Sequence, residues 1–317
     1  MIKTLSEIQN EEAVIDASNL STYDLNRIIL REVKGGRRRI KVLNVLGHRF
    51  IGVNIAALAP EGTTITLVGT VGDCLANLNS RVNFIVYGNC GDDLADTMQG
   101  GRVVVHGDVR DVAAQALQGG KVFVKGSVGN RAGIQMREYL DNRPYFIIGG
   151  GADDYLAEYM AGGVIMVLGL QPATRRSKLI GNYIASGLVG GRIYIRSRID
   201  VSKIGVQPPK EDIEAYLSSL VDEGVLDQLT YSRIIAKNDF SYYRLKEELP
   251  TSAFERIRRF YIAAYAEPPS IEYRELNADE ERELRPILQE YVRTFNLPYQ
   301  TFEELLASKY TIISTKE

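Results

Sequence analysis

Two cysteines, two histidines and a net charge of −2 in 317 residues leave little room for several kinds of chemistry. Cys74 and Cys90 have no CxxC spacing, which argues against an iron–sulfur or zinc framework and fits a reducing compartment. A charge so close to neutral argues against a dedicated nucleic-acid binder, which needs a basic face. The Arg37-Arg38-Arg39 and Arg175-Arg176 clusters read as solvated turns. No run of about 18 apolar residues occurs, so no membrane span is predicted. The opening Met1-Ile2-Lys3-Thr4-Leu5-Ser6-Glu7 has no apolar stretch of the signal-peptide kind. The expectation is a cytoplasmic protein without nucleic-acid or membrane partners. Hydrophobic residues at 45% and charged residues at 25% suffice for a sizeable buried core.

Three zones follow one another. In the first, residues 1–60, Ser21-Thr22-Tyr23-Asp24 starts a helix whose Leu25, Ile28, Ile29 and Val33 recur at helical spacing until Gly35-Gly36. Ile40 to Val45 reads as a strand, and the zone as a cap. The middle zone, 61–204, repeats. Gly100-Gly101-Arg102-Val103-Val104-Val105-His106-Gly107 is echoed by segments beginning at Gly119, Gly162 and Gly190, while Gly69, Gly88, Gly107 and Gly126 stand 19 residues apart. A period near 20 with alternating strands between glycine turns predicts stacked β rungs, each burying its apolar face against its neighbours. The inward columns are Ile65, Val103, Val122, Ile165 and Ile193, with Leu67, Val105, Val124, Val167 and Ile195 beside them. Arg137 to Pro144 and Gln171 to Leu179 are insertions, read as loops toward a partner. In the third zone, 205–317, Glu211 to Val225, Phe254 to Tyr265, Ala278 to Phe295 and Thr301 to Ser308 read as helices with apolar stripes. A chain cut after about residue 204 is expected to keep its rungs folded.

Eight residues before each glycine pair stand Asp92, Asp111, Asp154 and Asn182, with Asp73 and Asn130 in equivalent places. Stacked carboxylates can hold a cation, but Asn at two positions suits capping of the turn that follows, and capping is the reading adopted. The glycine pairs lack a P-loop lysine or a helix-opening GxGxxG, so positive-φ corners explain them better than phosphate nests. Gly149-Gly150-Gly151 reads as a close backbone contact. His106 falls in an outward column with Val68, Tyr87 and Lys125, which tolerates any side chain, while His48 in Gly47-His48-Arg49-Phe50 reads as a backbone or partner contact. Cys74 and Cys90 occupy different places in their repeats and are not expected to pair, and neither has an obvious base.

These glycine-paired repeats, with Asp-x-Leu/Ala-Ala entering each, resemble the C-terminal β-helix of the glutamate synthase large subunit, a module shared with one of the subunits of formylmethanofuran dehydrogenase. The resemblance spans roughly residues 40–198. Ile15-Asp16-Ala17-Ser18-Asn19-Leu20-Ser21-Thr22 with Val42-Leu43-Asn44 is similar to the stand-alone form, a subunit beside amidotransferase and FMN-binding subunits in some archaea and methylotrophs. The resemblance implies a mainly β fold, a right-handed parallel β-helix of about seven rungs, here with a small N-terminal α/β cap and an α-helical C-terminal extension. In glutamate synthase the module carries neither the cysteine nucleophile nor the flavin, and holds the glutaminase and synthase domains in a fixed relation. The function this implies is a non-catalytic structural subunit of a glutamate-synthase-like complex, involved in nitrogen metabolism, with amidotransferase and FMN-binding synthase subunits as partners. No catalytic, cofactor-binding or metal residues are assigned and no cofactor is expected; self-association stays open. Two alternatives remain: a scaffold in a formylmethanofuran dehydrogenase or formyltransferase/hydrolase-like assembly, and an independent β-helix enzyme or binding protein with a carboxylate-lined pocket.

Overall fold

The computed structural model describes residues 12–53, 55–170, 179–262 and 269–315. The opening heptapeptide, Arg175-Arg176 and the Gln171 insertion up to its last residue lie outside the described residues, as does the end of the helix read to Tyr265. Strand β1 (Glu12–Asp16), helix α1 (Thr22–Lys34) and β2 (Arg39–Leu46) come first. Ser21 caps α1 by accepting the Asp24 N–H at 3.1 Å, and Leu25, Ile29 and Val33 form its buried stripe. Seven strands follow: β3 (Thr64–Thr70), β4 (Asn83–Tyr87), β5 (Arg102–Val105), β6 (Lys121–Val124), β7 (Tyr145–Ile148), β8 (Ala161–Val167) and β9 (Gly190–Ile195). The helices α2 (Lys210–Asp222), α3 (Gln228–Lys237), α4 (Tyr242–Glu248), α5 (Thr251–Ile257) and α6 (Arg259–Ile262) come next. The chain ends with β10 (Ser270–Glu275), α7 (Ala278–Thr294), α8 (Tyr299–Ala307) and β11 (Lys309–Ser314).

All the strands among the described residues belong to one eleven-stranded sheet, ordered β1 through β9, then β11, then β10. It is parallel from β1 to β9, while β11 runs antiparallel to both β9 and β10. The expected right-handed parallel β-helix of about seven rungs, mainly β with an appended helical extension, is therefore corrected. The sheet is mostly parallel and not closed, and helix (28%) slightly exceeds strand (25%), so the class is α/β. Two physical reasons account for the difference. The segments between β3 and β9 form turns joined by isolated bridges such as Val71↔Cys90 and Cys90↔Val109, so each contributes one regular strand rather than several faces. The third zone, moreover, is not only helical, because it returns two strands to the sheet.

From β3 to β6 the paired strands are evenly spaced. Thr64 pairs with Asn83, Asn83 with Arg102 and Arg102 with Lys121, each 19 residues on. Ile65, Val103, Val122, Ile165 and Ile193 line one buried face with Leu67, Val105, Val124, Val167 and Ile195, packed on turn residues such as Leu75, Leu94 and Leu156. The opposite face is also buried from β5 onward. Val104, Phe123, Ile147, Val164, Met166 and Tyr194 pack against Leu284, Leu288 and Tyr291 of α7 and Leu305 of α8. A third cluster joins α2 through α6 around Ile213, Leu217, Leu245 and Tyr261.

Candidate functional site

The turn segments decide what the molecule presents on the side away from the sheet. Cys74, Ala76 and Leu78 have φ near +60°, as do Asp93 and Ala95 in the next segment. This alternation sends backbone N–H groups by turns to either neighbour: Cys74 N–H donates to the Asp92 carbonyl (2.9 Å), Ala76 N–H to the Ile51 carbonyl (3.0 Å). Backbone polarity is thus satisfied without a regular strand.

The acidic column sits on these turns. Asp73 Oδ1 accepts the Asp92 N–H (3.0 Å), Asp92 Oδ1 the Asp111 N–H (3.1 Å), and Asp111 Oδ1 the Asn130 N–H (2.8 Å). Farther along, Asp154 Oδ1 accepts the Asn182 N–H (2.7 Å). The side chains are structural acceptors, but each serves the next segment rather than capping its own turn. A second column went unread in the sequence: Asn89 accepts from Asp108 N–H, Asp108 from Ser127 N–H and Ser127 Oγ from Gly151 N–H, at 2.8, 2.8 and 3.0 Å. This column, together with the backbone of the preceding segment, accounts for two of the periodic glycines. A Cβ on Gly107 or Gly126 would collide with Asn89 Oδ1 or Asp108 Oδ1, whereas Gly101 and Gly120 do occupy positive-φ corners at +82° and +77°. Gly149 is a close contact, as read: a Cβ there would strike the Lys125 carbonyl and the hydroxyl of Tyr291.

Cys74 lies among these carboxylates, its thiol 3.9 Å from Asp93 Oδ2. Burial first, then Asp93, Asp73 and Asp96, push the Cys74 thiol up, and Arg49 opposes them only weakly. Asp93 is raised by burial and by Asp96, Asp92 and Asp73. Such a thiol stays protonated and is a poor nucleophile. Arg49 and Arg110 pair with Asp73 (3.0 Å) and Asp92 (3.3 Å). Cys90 is buried and free, with its thiol pushed up by burial. Among the described residues no three His, Cys, Asp or Glu side chains converge as a metal site would need.

The histidines have defined surroundings. His48 Nδ1 accepts the Leu46 N–H (3.1 Å) and Nε2 donates to the Leu20 carbonyl (2.9 Å), bracing β2 against the chain before α1. His106 stacks on Tyr87 at 4.4 Å between ring centres and meets the edge of Phe295 at 5.1 Å. Burial first, then Lys125, lowers its pKa. The outward column is therefore partly covered by the α7 end, which its sequence did not suggest.

A polar groove of about 880 Å³ opens across the ends of β8, β9, β11 and β10 at the start of α7. Its walls carry Glu138, Arg143, Arg192, Arg274, Asp279 and Glu280. Asn277 and Glu280 form a reciprocal capping box at the α7 start. Glu280 also accepts from Arg274 Nη1 (2.6 Å) and the Tyr194 hydroxyl (3.3 Å). Burial raises the Glu280 pKa, but Arg274, the Asn277 N–H and Tyr194 together hold it below the usual carboxylate range. Arg143 bridges Glu138 and Glu283, at 2.8 Å each, and Arg192 reaches Glu283 at 3.4 Å. The groove is thus charge-balanced, each guanidinium held by a carboxylate. Sequence reasoning missed it because its residues come from the Arg137 insertion, two glycine corners and the zone without repeats. The one local signal was Asn277 standing three residues before Glu280.

The described residues contain no helix long and apolar enough to cross a membrane. An uncharacterized protein of Methanocaldococcus jannaschii is 48% identical to this chain over 200 residues, 62% of this chain and 75% of that protein. The GXGXG motif matches residues 41–208, more than half of the chain, and takes in the glycine corners and both polar columns. The chain belongs to the GXGXG motif family, which is found in domain 3 of glutamate synthase.

Proposed function

We propose that the chain is a non-catalytic structural subunit of a glutamate-synthase-like complex in the cytoplasm, holding an amidotransferase subunit and an FMN-binding synthase subunit together. The observation that carries the reading is the use made of the repeated polar side chains. Asp73, Asp92, Asp111 and Asp154 each spend an oxygen on the backbone of the next segment, as Asn89, Asp108 and Ser127 do in the second column. These columns build a stiff surface rather than a reaction centre. Membership of a family found in glutamate synthase supports the choice of complex. The surface offered to partners includes the Arg137 insertion, where Tyr139 and Leu140 are 67% and 83% exposed. Tyrosine is among the residue types enriched where a few side chains carry most of the binding energy of a protein interface.

Purification of the tagged full chain from its native cell tests the proposal. The expected result is co-purification of an amidotransferase subunit and a yellow, FMN-containing subunit, with recovery reduced by Tyr139→Ser and Leu140→Ser together. Recovery of tungsten or molybdenum enzyme subunits instead would overturn the choice of complex. Turnover of glutamine by the purified chain alone, lost on changing one polar surface residue, would overturn the structural role.

A further inference from the structure

Strand β10 closes the sheet at its C-terminal side. It pairs with β11 on one edge, and among the described residues no strand pairs with the other. An open edge is a template for another strand. Its sequence is Ser270-Ile271-Glu272-Tyr273-Arg274-Glu275. The Glu272 side chain is 54% exposed, Tyr273 46% and the Arg274 side chain 36%. We infer that β10 pairs antiparallel with β10 of a second copy of this chain, about a two-fold axis through Tyr273, joining two eleven-stranded sheets edge to edge.

The charge pattern selects both the occupant and the register. With the axis on Tyr273, Glu272 faces the partner's Arg274, Arg274 faces the partner's Glu272, and the two tyrosines face each other. Opposite charges directly across an antiparallel pair are favourable and like charges are not. Moving the axis to Glu272 or to Arg274 sets like charge against like. An axis between Tyr273 and Arg274 puts Glu272 against the partner's Glu275, and one between Glu272 and Tyr273 leaves Arg274 against the partner's Ile271. An axis between Arg274 and Glu275 also forms two ion pairs but overlaps only those two residues of the strand, whereas the Tyr273-centred register forms two ion pairs and overlaps residues 271–275. Because both members lie on the same six-residue strand, the surface is self-complementary as a two-fold interface requires.

The side chains that would pair are already held in order within the single chain. Arg274 donates through Nη1 and Nη2 to Glu280 (2.6 and 3.2 Å) and through Nε to Glu272 (2.5 Å). The guanidinium of Arg198 lies 5.9 Å from the centre of the Tyr273 ring. Groups ordered before association lose less freedom on binding.

Light scattering on the purified full chain over a broad concentration range is expected to show a particle of twice 35.3 kDa. Glu272→Arg places arginine against the partner's arginine while leaving the Arg274–Glu280 pair in place, and should give the single-chain mass with an unchanged circular dichroism spectrum. In a Cys74→Ser background, Tyr273→Cys should cross-link to itself under mild oxidation, since a residue on the axis faces its own copy, and Glu272→Cys should not. A wild-type chain that stays at 35.3 kDa at every concentration overturns the inference, as does a dimer unaffected by Glu272→Arg. Cross-linking through Glu272→Cys in preference to Tyr273→Cys would overturn the register.

Discussion

Cutting the chain after residue 204 removes α2 through α8 together with β10 and β11, and the outer face of the sheet shows what that costs. Val104, Phe123, Ile147, Val164, Met166, Leu168 and Tyr194 are each at most 1% exposed, and the C-terminal layer is what covers them. Burying one such side chain is worth about 1.5–3 kcal/mol. The seven together represent on the order of 10–20 kcal/mol of lost burial, before the ordering cost of the helices is subtracted. A whole domain is typically stable by only about 5–15 kcal/mol. The expected outcome is a truncated chain that aggregates or binds a hydrophobic dye and lacks a cooperative melt, although its inner columns are intact. This reverses the expectation that each segment leans only on its neighbours. Leu288→Asp in the full chain attacks the same interface without removing sequence, and should lower the melting temperature sharply. A 1–204 fragment that is monomeric, dye-silent and melts at the wild-type temperature would refute the reasoning.

Other expectations follow from single groups. Val105→Asp puts an unpaired charge into the fully buried inner column and should cost more than about 4 kcal/mol in urea denaturation. Asp111→Ala strips the acceptor from the Asn130 N–H (2.8 Å) and should cost about 1–3 kcal/mol, whereas Asp111→Asn keeps a carbonyl oxygen there and should be close to silent. Glu290 joins α7 to the sheet through Arg102 and Lys121. Burial raises its pKa, but Lys121 and Arg102 outweigh that and hold it below the ordinary 4.5. A carboxylate depressed on folding contributes stability above its unfolded pKa and loses it as pH falls through the folded one. The melting temperature of wild type should therefore converge on that of Glu290→Gln as pH drops below about 4.5, and separate from it at neutral pH.

The inner columns were legible because each glycine pair is followed at the same offset by the same residue type: Val103, Val122 and Ile165 each stand three residues after Gly100, Gly119 and Gly162. The outer core was legible in principle. At β3 the facing positions are Thr64 and Thr66, so the strand alternates, but β5 to β8 read Val103-Val104-Val105, Val122-Phe123-Val124, Phe146-Ile147-Ile148 and Val164-Ile165-Met166. Runs of that kind mark strands buried on both faces. The repeat drew attention to every second residue, and the residues between them held the information about α7.

Strands β10 and β11 were not legible in the same way. Each is six residues long, and their place depends on pairings such as Ile313 with Ile193, more than a hundred residues apart. The polar columns fall between these cases. Aspartate at a constant offset showed that something repeats, but an Asp before a turn looks the same whether it serves that turn or the next segment. What separates the two is the glycine one period on. Gly91, Gly129 and Gly181 stand where a Cβ would strike Asp73, Asp111 or Asp154. An Asp followed one segment later by a glycine just ahead of the next column residue thus signals a carboxylate reaching across segments. Gly129→Ala should then destabilise the chain at least as much as Asp111→Ala does, since its Cβ would also meet the Arg110 backbone at 2.8 and 2.9 Å. The double variant should cost less than the sum, because removing the carboxylate relieves the nearest of these contacts. Full additivity in denaturant titrations would show that glycine and carboxylate act independently, and would sink this account of the pattern.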